Sequence, residues 1–187
     1  MSKRLFLAIP IQPEELLIQQ KLFLINNLKE ERINWVKDEN MHLTLKFIGK
    51  TPTKKIPEII EAVNACIKTK PFQLTLENIG IFGSAYQAKV IWIGIQQNND
   101  LLNLYTLIAK QLERIGYEIG RQNFVPHLTL GRINRIIHKD HFKKVLGNTE
   151  KGFIQKINVE KIILFESILK PDGPVYKAIK SFKFSEQ

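Results

Sequence analysis

The chain is predicted to fold as a single α+β domain of two similar lobes that face each other across a groove. Three observations predict this. Short apolar runs of strand character and amphipathic helical stretches follow one another in mixed order along 187 residues. The tetrapeptide HLTL occurs twice, at 42–45 and at 127–130, as a weak internal repeat. No linker stands out by composition, so residues 1–187 read as one two-lobed domain.

Each element has its own signal. Residues 4–11, RLFLAIPI, form a continuous apolar run that suits a buried strand. Pro13 opens a helix whose first turn holds Glu14 and Glu15, acidic groups that complement the helix dipole. Leu17, Leu24 and Leu28 fall on one face of it. RINWV and then MHLTLKFIG read as strands, the second ended by Gly49 and Pro52. Over 54–68, Ile56, Ile59, Ile60, Val63 and Ile67 recur at helical spacing. FQLTLENIGIF at 72–82 and KVIWIGI at 89–95 are strands, and GSAYQ between them is a turn. Asn98 or Asn99 suits the cap of a helix carrying Leu101, Leu104, Tyr105, Ile108, Leu112 and Ile115, and Gly116 suits its end. PHLTLGRI follows as a strand, 138–147 as a short helix, and 153–169 as one or two strands. KPDGP is a turn and VYKAIKSFKF the last strand. Trp35 and Trp92 lie in apolar strands and read as core.

Composition narrows the partners. Hydrophobic residues make up 44% and charged residues 25%, ordinary for a soluble globular domain. The net charge of +10 favours polyanionic partners, nucleic acid first among them. The single cysteine, Cys66, excludes an intrachain disulfide and a Cys-rich zinc site, and reads as a small buried hydrophobe. The run LFLAI near the start is short, is followed by Pro10 and two glutamates, and has no small-residue cleavage site. No apolar run approaches membrane-spanning length. A cytoplasmic protein with no membrane partner is expected.

The repeated tetrapeptide carries the chemistry. Strand side chains alternate between faces, so His42 and Thr44 point one way and Leu43 and Leu45 the other. His127 and Thr129 stand in the same relation to Leu128 and Leu130. A lone His-x-Thr on a strand is more often structural than catalytic. Two identical copies instead put two histidines and two threonines into one cleft if the lobes face each other. Histidine titrates near neutral pH, so a pair can divide acid and base work. Threonine hydroxyls donate to phosphate oxygens without adding charge. The set suits attack on a phosphodiester without metal: one imidazole takes a proton from water, the other protonates the leaving oxygen. A two-histidine metal site would want a third ligand, which no spacing supplies.

Neighbouring residues extend the candidate site. Arg132 lies on the opposite face from Thr129 if the strand is regular, but a bend at Gly131 would return it to the cleft, where a guanidinium would hold phosphate. Lys46 is in phase with His42 and Thr44. Tyr176 follows the KPDGP turn and could stack on a base or border the groove. Phe47 and Phe82 read as core or cleft-wall aromatics, and His138 and His141 as a solvated helix face.

With these motifs the chain resembles the RNA 2′,3′-cyclic phosphodiesterases of the two-histidine phosphoesterase superfamily, first described as 2′-5′ RNA ligases. The resemblance runs nearly end to end. RLFLAIPI resembles the opening strand, MHLTLKFIG and VPHLTLGR the two signature motifs, IGIFGS and KVIWIGI the central hairpin, and LFESILKPDGPVYKAI the closing segment. It implies a bilobal α+β fold with pseudo-two-fold symmetry, antiparallel sheets lining a central cleft and helices outside, together with metal-independent opening of a 2′,3′-cyclic phosphate to a 2′-phosphate, and ligation as a reversal of similar chemistry. It implies His42 and His127 as catalytic and Thr44 and Thr129 as substrate-binding, with no cofactor. RNA ends or cyclic nucleotides are the expected partners, and the chain is expected to be a monomer. Two alternatives stand beside this reading: a module that binds nucleotides or RNA ends without turnover, and a phosphodiesterase for small cyclic nucleotides.

Overall fold

In the computed structural model, which describes residues 1–67, 69–84, 86–118, 124–171 and 173–185, the strands pair antiparallel into one nine-stranded sheet. Ala85 of the GSAYQ turn and Asp172 of the KPDGP turn lie outside the described residues. The elements run β1 (Ser2–Pro10), α1 (Glu15–Asn27), β2 (Arg32–Trp35), β3 (His42–Pro52), α2 (Ile56–Cys66), β4 (Phe72–Phe82) and β5 (Val90–Ile95). They continue as α3 (Asn99–Arg114), β6 (His127–Arg135), α4 (Lys139–Gly147), β7 (Phe153–Val159), β8 (Lys161–Lys170) and β9 (Gly173–Lys183). The expected α+β architecture is therefore observed, and the single run 153–169 resolves into two strands.

Local chemistry sets both ends of α3. The Asn98 side chain accepts from the Leu101 backbone N–H at 2.9 Å and caps α3. Gly116 follows α3 with φ of +86°, the left-handed step that glycine takes without steric cost. Gly49 does not end β3 as expected. With φ of +84° it bulges the strand, and pairing with β1 continues to Pro52.

The strand order is β7-β4-β5-β6-β3-β1-β8-β9, with β2 paired to β6. The two motif strands, β3 and β6, are adjacent at the middle of this order. Their register is a single pair, Leu43 opposite Leu128. Beyond it, β6 takes β2 as partner, with Trp35 opposite Gly131. One lobe is thus built on β3, β1, β8 and β9, and the other on β6, β5, β4 and β7.

One face of the sheet is apolar and covered by helices. Leu5, Leu7, Ile9, Leu43, Leu45, Leu128 and Leu130 join Leu17 and Leu24 of α1, Ile59 and Val63 of α2, and Leu104, Ile108 and Leu112 of α3 in one core. Each such side chain removed from water contributes about 1.5–3 kcal/mol. The opposite face carries the cleft, and its residues are the alternate ones along β3 and β6.

Candidate active site

The leucines buried in the core fix which way the histidines face. Leu43 and Leu128 are fully buried, so their neighbours in each strand, His42 and Thr44, and His127 and Thr129, stand on the cleft face, all half-buried. Because β3 and β6 run antiparallel through Leu43 and Leu128, His42 lies toward Thr129 and His127 toward Thr44. The register sets the four polar side chains as neighbours on the cleft face.

Both imidazoles are held alike. His42 Nδ1 lies 2.7 Å from the Asn40 carbonyl oxygen and His127 Nδ1 lies 2.8 Å from the Val125 carbonyl oxygen. A carbonyl only accepts, so Nδ1 carries a proton in each ring and Nε2 is the nitrogen left for chemistry. Burial pushes both imidazoles below their ordinary range. The Asn40 and Val125 carbonyls oppose this, the Arg132 cation lowers both further, and His127 lowers His42. At neutral pH both rings favour the uncharged form.

Aromatic packing differs between the halves. His42 sits against Phe6 at 5.0 Å and edge-on to Tyr176 at 5.1 Å between ring centres. His127 meets the Phe82 ring edge-on at 4.7 Å, and Phe82 packs on Trp92 at 5.3 Å. Trp92 is therefore not core, as its apolar strand suggested. It pairs with Thr129 and shares the cleft face, whereas Trp35 packs against the core. Gly80 and Gly94 make room for the Trp92 ring; a Cβ at Gly80 would lie 2.4 Å from its carbons.

A bulge decides the remaining positions. Along β3 the pairing steps from Ala8–Thr44 to Leu7–Lys46, leaving Leu45 unpaired. Along β6 it steps from Trp92–Thr129 to Ile91–Gly131, leaving Leu130 unpaired. The extra residue advances the alternation by one in both motifs. Arg132 consequently returns to the cleft face, and its charge acts on His42, His127 and Tyr176. Lys46 goes the other way, unlike the in-phase expectation. It pairs with core-facing Leu7, and its ammonium donates to the Glu118 carbonyl beyond α3 at 3.0 Å. Burial lowers its pKa, opposed by Glu113. Phe47 takes the cleft position instead and lies 6.1 Å from Phe6.

A cavity of about 560 Å³ opens beside His42, walled by Arg4, Phe6, Phe47, Arg132, Leu169 and Tyr176. Burial raises the Tyr176 hydroxyl above its ordinary pKa, with Arg132 and Arg4 opposing. Sequence reasoning missed Asn40. Its carbonyl holds His42 while its side-chain amide donates to the Pro174 carbonyl at 3.1 Å, tying the β8–β9 tip to the motif. It also missed Phe6 and Arg4, which the period of two along β1 places with Ala8 opposite Thr44. His138 and His141 stand apart from this site: His141 Nε2 donates to the Asn27 carbonyl at 2.8 Å, and the His138 backbone N–H donates to Glu31. Among the described residues, no three His, Cys, Asp or Glu side chains are grouped to hold a metal ion. No helix among them is long and apolar enough to cross a membrane.

The chain matches the family model for LigT-like phosphoesterases twice, over residues 10–92 and 93–176. It is 34% identical over 179 residues to an RNA 2′,3′-cyclic phosphodiesterase of Methanocaldococcus jannaschii, covering 96% of this chain and 99% of that one. It is 30% identical over 184 residues to an RNA 2′,3′-cyclic phosphodiesterase of Thermotoga maritima, covering 97% and 95%. Its fold is shared with a Thermus thermophilus crystal structure at TM-score 0.79 and 22% identity, covering 97% of each chain. It is also shared with Escherichia coli LigT in complex with 3′-AMP at TM-score 0.76 and 23% identity, covering 100% of each.

Proposed function

The chain belongs to the LigT-like phosphoesterase family, and on that basis we propose that it opens RNA 2′,3′-cyclic phosphate ends to leave a 2′-phosphate. The observation that carries this reading is the Leu43–Leu128 pair, which sets His42, Thr44, His127 and Thr129 as neighbours on the cleft face. Each histidine presents Nε2, and each threonine adds a hydroxyl able to donate to a phosphoryl oxygen. The similarity to two proteins named RNA 2′,3′-cyclic phosphodiesterase supports the substrate.

In the proposed step His127 Nε2 takes a proton from water as its oxygen attacks phosphorus. The bond from phosphorus to the 3′ oxygen breaks, and His42 Nε2–H delivers a proton to that oxygen. The products are a free 3′ hydroxyl and a 2′-phosphate. Thr44, Thr129 and Arg132 hold the phosphoryl oxygens as charge builds on them. Phe47 and Tyr176, backed by the buried Phe6 ring, offer ring surfaces for the terminal base. Joining RNA through a 2′-5′ bond is the reverse of related chemistry and belongs to the same proposal. Both motif strands come from one chain, so a monomer suffices.

Incubation of a nucleoside 2′,3′-cyclic phosphate with the protein in EDTA should give the 2′-phosphate. His42→Ala and His127→Ala should each lower kcat by about 10²–10⁴-fold, the usual size of a general acid or base. Saturable binding without product would instead favour the non-hydrolytic module. A substrate whose 3′ leaving group needs no protonation should restore His42→Ala and leave His127→Ala inactive. Restoration of His127→Ala alone would reverse the two roles.

A further inference from the structure

The cleft does not end at the His42 cavity. A second cavity of about 600 Å³ lies between the residues leaving β2 and the tip of the β8–β9 hairpin. The two cavities share Arg132 and Tyr176 as walls, so a ligand crossing from one to the other passes along these side chains. Both volumes fall within the usual range for a small-molecule site.

The second cavity is lined for a phosphodiester. Asn34 is registered opposite Arg132 across β2 and β6, so both face the cleft. Lys37 and Lys170 stand exposed on its two rims, one after β2 and one at the hairpin tip. No acidic side chain is among its described lining residues. Among the described residues, Lys37, Arg132 and Lys170 make no ion pair. The Asn40–Pro174 hydrogen bond holds the hairpin tip against this wall.

We propose that this groove binds the nucleotide joined to the 5′ oxygen of the reacting end, and so selects oligonucleotide ends over mononucleotides. The inference rests on the cyclic-phosphodiesterase reading above. With the cyclic phosphate between the histidines and the base in the His42 cavity, the chain leaves past Arg132, and the next phosphate meets Lys37 and Lys170.

The test compares a nucleoside 2′,3′-cyclic phosphate with a trinucleotide of the same terminal base ending in 2′,3′-cyclic phosphate. The unmodified protein should show a KM at least about tenfold lower for the trinucleotide, from the added lysine–phosphate attraction. The Lys37→Gln/Lys170→Gln double variant should raise the trinucleotide KM about tenfold and move the mononucleotide KM by less than about twofold. The salt dependence of trinucleotide binding should flatten by about 0.7 in log–log slope for each phosphate that the variant no longer neutralises. Equal KM values for the two substrates, or equal effects of the double variant on both, would overturn the groove. A second arm titrates a trinucleotide ending in a 2′-phosphate against a nucleoside 2′-phosphate, and needs no turnover. Tighter trinucleotide binding that the double variant abolishes supports the groove even if neither cyclic substrate is hydrolysed. That absence of hydrolysis would overturn the reaction instead. Identical binding of the two, or binding indifferent to the double variant, would overturn the groove in this arm too.

Discussion

An imidazole that works as acid or base needs its tautomer, its orientation and its proton affinity fixed together. In both motifs one backbone carbonyl two residues upstream fixes the first two, and burial fixes the third. Since burial disfavours the charged ring, each histidine loses its proton below the ordinary imidazole pKa of roughly 6.5. Catalysis needs one ring charged and one neutral, so kcat/KM should fall with rising pH along a limb that lies below that ordinary value. Arg132 contributes to the lowering of both rings, and its removal has a definite sign. Arg132→Gln should move the alkaline limb of kcat/KM to higher pH. It should also raise KM about tenfold or more, given about 1.5–3 kcal/mol for a charge-assisted hydrogen bond to phosphate. A limb that stays in place would sink the electrostatic argument. At this scale the histidines and threonines were legible in the sequence, because alternation alone sets their face. Asn40 was not, since its partner Pro174 is 134 residues away in the chain and only folding brings them together.

The strands add what alternation cannot. A single unpaired leucine after each threonine, Leu45 or Leu130, reverses the face of the residues that follow it, Lys46 and Phe47 in β3 and Gly131 and Arg132 in β6. The same offset from each histidine then gives Phe47 in one half and Arg132 in the other, an apolar wall and a cation on opposite sides of one site. Such a bulge is set by pairing with β1 and β5, so a strand read in isolation puts Lys46 in the cleft and Arg132 out of it. The structure makes Lys46 dispensable: Lys46→Met should change KM for a cyclic phosphate by less than about twofold, within the roughly 0.5 kcal/mol scatter of surface substitutions. A tenfold rise would return Lys46 to the cleft. The bulge in β6 also depends on Gly131, over which Trp35 and Ile33 close. A Cβ there would lie 2.8 Å from Ile33 Cγ2 and 2.9 Å from Trp35 Cε3. Gly131→Ala should therefore cost about 1–3 kcal/mol in denaturant unfolding, the usual range for overpacking. A loss of less than 0.5 kcal/mol, roughly the noise of such comparisons, would show that β2 yields without strain.

At the scale of the molecule the sequence repeat and the spatial lobes do not coincide. The family model matches once over residues 10–92 and once over 93–176, yet each lobe draws strands from both matches. β8 and β9, late in the chain, complete the sheet that β1 and β3 begin, and β4 joins β5, β6 and β7. β2, from the first match, lies on β6 of the second. The two-lobed α+β class was legible from the repeat; this exchange of strands was not, because it depends on which edges remain open after the local pairs form. It has a thermodynamic consequence. Neither half can bury its apolar face without strands of the other, and Leu43 and Leu128 lie in one core that runs through both. Unfolding in denaturant should be a single transition, with far-ultraviolet circular dichroism and the fluorescence of Trp35 and Trp92 coinciding. Leu128→Ala should lower stability by about 2–5 kcal/mol, the cost of an emptied core site. It should do so without splitting that transition. Two separate transitions, or a variant that melts one tryptophan's surroundings before the other's, would mean that the halves fold independently. The histidines would then meet across a hinge. A single transition means that the same leucine pair that aims them also holds them in register.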